Sequence, residues 1–205
     1  MKDTILLVGH GSREGAGNIA IEKFATQLRQ RHPNWHIEVC FIEFAPVLLK
    51  KGFDHAAAHA ATATGKVLVL PLILNAAGHM KGDIPRAMQA ARERHPHVQF
   101  DCAPHVGAND TMLQIVRRNL TNAMAQLDVP DPSTTGVIVL GRGSSDRKAN
   151  GEMAKMARWL WEECDHELVD LAFTGITYPR LERVVQRQVQ LGMSQIVVLP
   201  YYLFT

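Results

Sequence analysis

Short apolar runs and longer amphipathic stretches take turns along the chain. Residues 4–9 form a nearly unbroken apolar run and predict a strand. Residues 18–31 place Ile21, Phe24, Ala25 and Leu28 at i, i+3, i+4 and i+7, one face of a helix. Residues 36–44 are rich in β-branched and aromatic side chains and predict a strand, and the Ala-rich stretch 47–63 predicts a helix. Residues 66–74, KVLVLPLIL, are almost continuously apolar, as expected of a parallel strand buried on both faces. A helix over 84–94, a strand over 97–102 and a helix over 111–127 follow. This alternation predicts α/β architecture, a mostly parallel sheet with helices on both faces.

Residues 128–136, DVPDPSTTG, break the pattern and read as a linker. The order then restarts, with strands over 137–140, 167–173 and 195–199 and helices over 149–163 and 178–190. Three landmarks recur in the same order, which marks an internal repeat. LLVGHGS pairs with IVLGRGS, at an offset of 142 − 10 = 132 residues. FIEFAPVL pairs with FTGITYPRL, Pro46 meeting Pro179, and VLVLPLIL pairs with IVVLPYYL, Pro71 meeting Pro200. The expected organisation is a first unit over 1–127, a linker over 128–136 and a degenerate second unit over 137–205. That second unit stops before any counterpart of NAAGHMKGDIP and is expected to be cut short.

Composition narrows the function. The 46% hydrophobic content of the 205 residues supports a real core, and a formal charge of +2 gives no ground for nucleic-acid binding. Cys40, Cys102 and Cys164 form no CxxC pair and no even set, which suits a reducing compartment. No apolar run reaches the ~20 residues a membrane span needs, and Met1-Lys2-Asp3 leads straight into the first strand without a signal segment. The expectation is a soluble cytoplasmic protein with no membrane partner. The ten histidines change the picture most, because neutral imidazole is the commonest metal ligand.

In open parallel sheets, ligands bind beyond the carboxyl ends of the strands. The first strand ends at His10, the second carries Glu43 near its end, and the third runs into LNAAGHMKGD with His79. Two imidazoles and a carboxylate on one rim suit a first-row divalent metal. Gly9 and Gly11 flank His10, so the backbone there can approach a bulky ligand. Blander readings stand beside this one: His10 as polar surface, and Glu43 as a helix-capping or surface carboxylate. GHGSR as a phosphate cradle lacks the spacing of either common phosphate loop. Ser12 as a nucleophile with His10 as base lacks an evident third, orienting residue.

Other features read as structural. His55 and His59 have i, i+4 ligand spacing but no third ligand, so packing or solvent exposure is expected. RQRHP (29–33) and RERHP (92–96) put basic residues in a last helical turn and end it with Pro. Trp159, Leu160 and Trp161 are expected to pack in the core, and His105 follows the fourth strand towards the same rim.

LLVGHGSR, FIEFAP, LPLILNAAGHMKGDIP and the echo LGRGSSD…LPYYLF together resemble the class II tetrapyrrole chelatases, in particular sirohydrochlorin chelatases of the CbiX/SirB type in their long, internally duplicated form. The resemblance spans the whole chain. It implies two flavodoxin-like three-layer α/β/α units facing a cleft, and a lyase that inserts Fe²⁺ or Co²⁺ into sirohydrochlorin towards siroheme or cobalamin. It implies metal-handling and catalytic roles for His10, His79 and Glu43, with the metal as substrate and no permanently bound cofactor. A carrier of metal or tetrapyrrole on the same fold is the non-catalytic alternative. The substrate is a polycarboxylate, so Gly11, Ser12, Arg13, Lys81, Arg142, Gly143 and Ser144 become candidate substrate-binding residues, joined by Arg147 or Lys148. With two units in one chain, a monomer is the expected working species. Arg142 stands where the first unit has His10, so only one unit is expected to handle metal.

Overall fold

The computed structural model describes residues 3–75 and 78–204, apart from the His79 side chain. The chain forms two compact units. Unit 1 comprises Met1–Val106 with Leu203–Thr205, and unit 2 comprises Gly107–Tyr202.

Unit 1 is built from β1 (Asp3–Gly9), α1 (Ala16–Arg31), β2 (Trp35–Phe41), α2 (Leu49–Ala61), β3 (Lys66–Pro71), α3 (Ile84–Arg94) and β4 (Gln99–Cys102). A π-helical turn, His79–Asp83, leads into α3. The four strands are parallel in the order β2-β1-β3-β4. Side chains alternate across β1. Leu6 and Val8 face α2 and α3, with Phe53, Val67, Val69 and Phe100. Ile5 and Leu7 face α1, with Ile21, Ala25, Ile37 and Val39. Each face is therefore a separate apolar layer, as the period-2 pattern dictates.

Unit 2 follows the same plan. It begins with α4 (Asp110–Met124) and continues through β5 (Thr135–Gly141), α5 (Arg147–Glu162), β6 (Val169–Phe173), α6 (Leu181–Gln190) and β7 (Gln195–Pro200). Its sheet is parallel in the order β6-β5-β7. The α/β class and the two parallel sheets agree with the expectation from the sequence.

Four details differ from the sequence reading. The compact units divide at Gly107, not after residue 127. The apolar stripe of α4, Leu113, Val116, Leu120 and Met124, is buried, and the helix packs on β7 and α5. Residues 128–136 therefore connect two parts of one unit, and Thr135 and Gly136 already belong to β5. Secondly, β3 is not buried on both faces: Leu68 is 40% exposed. Its register partner is Ile5, and the repeat counterpart of that pair is Val137 with Val197. Val197 is only 6% exposed, because α4 packs over β7.

Thirdly, the registers align Pro71 with Pro200, beside Val8 and Leu140 respectively, but they do not align Pro46 with Pro179. The N–H of Phe41 donates to the Val47 carbonyl, and that of Phe173 to the Pro179 carbonyl, so Val47 is the counterpart of Pro179. Fourthly, Leu160 is core but Trp161 is 41% exposed. Its indole N–H donates to the His166 carbonyl at 3.0 Å.

The paired Arg-rich turns are structural, as read. Arg29 donates to the Ile37 carbonyl of β2 and Arg92 to the Phe100 carbonyl of β4, both at 2.7 Å. These are the two edge strands of unit 1, and each guanidinium occupies a carbonyl on its strand.

Candidate functional site

Strand order reverses between β1 and β3, since β1 leads to β2 on one side and β3 lies on the other. Such a switch point opens a crevice at the carboxyl ends of the strands. His10 is the first residue past β1, and β2 ends at Phe41, two residues before Glu43. Past the formal end of β2 the two chains stay paired: Ile42 N–H donates to the Gly9 carbonyl at 3.0 Å, and Glu43 N–H to the His10 carbonyl at 3.1 Å. This pairing sets Glu43 beside His10. Gly11 permits the approach, with φ at 97°, and a Cβ there would overlap the Glu43 carbonyl oxygen.

The two side chains meet as the sequence predicted. His10 Nδ1 lies 3.6 Å from Glu43 Oε1, and both side chains are a little over one-third exposed. The same Nδ1 lies 3.1 Å from the Gly11 carbonyl oxygen. A carbonyl and a carboxylate only accept hydrogen bonds, so both neighbours favour the proton on Nδ1. A neutral imidazole then carries its lone pair on Nε2, the arrangement found where a carboxylate or carbonyl orients a metal-binding histidine.

The third predicted residue, His79, starts the π-helical turn, but its side chain lies outside the described residues. The first residue past β3 stays paired with β1, since Leu72 N–H donates to the Val8 carbonyl at 2.8 Å. The segment holding His105 runs beside it, with Val106 N–H donating to the Ile73 carbonyl at 3.0 Å. Among the described residues no three His, Cys, Asp or Glu side chains group closely enough to hold a metal ion.

Arg13 and Lys81 are exposed, and the Arg13 guanidinium sits 4.6 Å from the Phe44 ring centre. Ser12 is held through its backbone by Asn18, as described below. His55 and His59 do not join the site. The His59 ring stacks on His36 at 3.4 Å and bonds the Thr4 hydroxyl at 3.0 Å. Thr4 and His36 are register partners near the amino ends of β1 and β2, the far end of the sheet from His10.

Unit 2 repeats the loop but not its chemistry. Arg142 takes the place of His10, and Gly175 that of Glu43, since Gly175 N–H donates to the Arg142 carbonyl at 3.0 Å. Gly143 matches Gly11 with φ at 87°. Arg142 is exposed, as are Arg147 and Lys148, while Ser144 is partly buried. The pair of metal-capable side chains thus belongs to unit 1 alone.

Asn18 and Asn150 are missing from the sequence reading. The Asn18 side chain accepts from Ser12 N–H at 2.9 Å and donates to the Ser12 carbonyl at 3.3 Å. Asn150 makes the same two bonds to Ser144, at 2.9 and 2.8 Å. Both asparagines stand six residues after the serine, so the internal repeat contained the signal.

Fold and site together define a duplicated, flavodoxin-like parallel α/β protein with a histidine–carboxylate pair at one switch point. The CbiX family model matches residues 4–123 and 136–205, and the chain belongs to that family. It is 38% identical over 202 residues to the sirohydrochlorin cobaltochelatase of Priestia megaterium, covering 98% of this chain and 64% of that protein. The sirohydrochlorin ferrochelatase of the same organism is 28% identical, with 99% of this chain and 74% of that protein covered. Among solved structures, SirB from Bacillus subtilis with Fe³⁺ superposes with a TM-score of 0.82 at 27% identity, covering all of this chain and 78% of that one. The chain thus spans just under two thirds of the cobaltochelatase's length. No helix among the described residues is long and apolar enough to cross a membrane.

Proposed function

We propose that the protein is a sirohydrochlorin chelatase, a lyase that inserts Fe²⁺ or Co²⁺ into the macrocycle with release of two protons. The observation that carries this reading is the His10–Glu43 pair at the switch point of a chain 38% identical to a sirohydrochlorin cobaltochelatase. Identity to the ferrochelatase of the same organism is 28%, which makes Co²⁺ the first metal to test. Metal is substrate here, not resident cofactor.

In this reading Nε2 of His10 receives the incoming cation, and the Gly11 carbonyl and Glu43 hold the ring from the Nδ1 side. His79 supplies a second imidazole from the turn before α3. An incomplete ligand set is required, because a closed four-ligand site would retain the metal rather than transfer it. As the metal enters, two pyrrole N–H bonds break and two protons leave, so the two positive charges brought by the metal depart with the protons and the metallated core stays neutral. Glu43, partly exposed beside His10, is suited to relay one of these protons to water.

The substrate carries several carboxylates. Arg13, Lys81 and Arg142 are exposed and can pair with them, while Gly11, Ser12, Gly143 and Ser144 supply backbone close to the two loops. The three cysteines are unpaired, which supports a reducing, cytoplasmic setting, and two units in one chain support a working monomer.

The test is steady-state turnover in variants. His10→Ala is expected to lower kcat at least 100-fold and Glu43→Gln at least tenfold. Both side chains are partly exposed, so the melting temperature should stay within a few degrees of the parent. Unchanged turnover in His10→Ala would remove His10 from the reaction.

A further inference from the structure

Phe44 has a backbone conformation that an aromatic residue rarely adopts, with φ at 52°. It follows Glu43 directly, so its geometry sets the path of the chain that carries the carboxylate. Left-handed conformations of non-glycine residues are strained and persist where neighbouring structure holds them. Two contacts hold this one. The Arg13 guanidinium lies over the Phe44 ring, and Asn18 Nδ2 donates to the Phe44 carbonyl at 2.9 Å.

Asn18 therefore makes three hydrogen bonds to two loops. Two go to Ser12, on the loop that carries His10, and the third goes to Phe44, on the loop that carries Glu43. The repeat provides an internal comparison. Asn150 makes the same two bonds to Ser144, and Ile176, the counterpart of Phe44, also has a positive φ of 63°. Among the described hydrogen bonds, Asn150 makes no third bond to Ile176. The third bond is present in the unit with the histidine–carboxylate pair and missing in the unit without one.

We infer that Asn18 is a positioning residue that locks the His10 loop to the Glu43 loop and fixes the geometry in which the pair receives a divalent metal. This rests on the proposal that the pair handles metal. Asn18 touches neither reacting side chain in this role; it acts through Ser12 and Phe44. The lock is a donor device: the amide oxygen holds only Ser12, while the NH₂ group spans Ser12 and Phe44.

The experiment is a titration with Co²⁺ alone, read by its visible absorption, on the whole chain and four variants, each also melted by circular dichroism. Asn18→Ala is expected to weaken Co²⁺ binding about tenfold, the lower end for a residue that orients ligands. Asn18→Asp preserves shape and the bond from Ser12 N–H but cannot donate to the Phe44 or Ser12 carbonyls. Its added negative charge favours a cation, so weaker binding in this variant reports the lost donation. Asn150→Ala loses the matching clasp and is expected to lower the melting temperature about as much as Asn18→Ala, while binding Co²⁺ like the parent. Parent-like Co²⁺ affinity in both Asn18 variants, or equal weakening in Asn150→Ala, would overturn the inference. His10→Ala separates the two levels: if it binds Co²⁺ like the parent, the metal reading itself fails. If His10→Ala loses binding while the Asn18 variants do not, only the positioning role fails.

Discussion

At the scale of single residues, neighbours decide what each histidine can do. His10 keeps an oriented ring at a partly exposed strand end. His166 is 7% exposed, with Nε2 against the Met124 sulfur at 3.4 Å and Nδ1 buried. Burial penalises its charged form and pushes its pKa below the ordinary 6.5, only partly countered by Asp165. The unfolded chain therefore binds this proton more readily than the folded one. Stability from this site is complete above about pH 6.5 and falls as the pH drops from there towards the lowered folded value. The midpoint of urea unfolding for unit 2 should decline as pH falls from 7 to 5, and His166→Gln should flatten that decline. An equally steep decline in His166→Gln would assign the effect to other groups. Cysteine chemistry follows the same logic: burial, with a smaller contribution from Glu38, pushes the Cys40 thiol up to about 12, which leaves it inert at neutral pH.

At the scale of elements, strand and helix centres were legible in the sequence because burial imposes a period on them. The boundaries were less so. The apolar run 66–74 suggested one long strand, yet β3 ends at Pro71, and residues 72–75 are not strand although Leu72 N–H still bonds the Val8 carbonyl. Nothing in hydropathy separates those residues from the strand. The prolines of DVPDPSTTG suggested a domain linker, but the apolar stripe of α4 finds its partner on β7, and partner choice is a tertiary property. The pairing of residues at the candidate site was legible in part. His10 and Glu43 were found from strand ends and glycine flanks, whereas Asn18 acts on loop backbone and shows in the sequence only through its counterpart Asn150. The cover provided by α4 has a measurable consequence. Leu199 is 5% exposed beneath it, and its repeat counterpart Leu70 is only partly buried, next to the 40%-exposed Leu68. Leu199→Ala should cost about 2–4 kcal/mol, by cavity formation in a filled layer. Leu68→Ala should cost less than about 1 kcal/mol. Urea denaturation of both variants checks this, and equal losses would contradict the difference in cover.

At the scale of the whole molecule, duplication preserved a scaffold and let its chemistry diverge. Both units retain the parallel order, the positive-φ glycine after the first strand and the asparagine clasp. Only unit 1 retains an imidazole and a carboxylate on that scaffold; unit 2 has Arg142 and Gly175 in their places. One set of metal-capable side chains per chain predicts one productive metal site per chain, with the guanidinium of unit 2 left for anionic substrate groups. Most of this division was visible in the repeat, because GHGS against GRGS already places His10 opposite Arg142. The loss of Glu43 became clear only from the backbone pairing that sets Gly175 beside Arg142. The central claim is that this chain turns over metal insertion rather than merely binding its ligands. The most direct test is anaerobic mixing of catalytic amounts of protein with excess sirohydrochlorin and Co²⁺ or Fe²⁺, following the macrocycle absorbance above the protein-free rate. The prediction is many equivalents of metallated product per protein chain, with Co²⁺ used at least as readily as Fe²⁺. A spectral change that stops at one equivalent per chain would contradict it and identify a carrier instead.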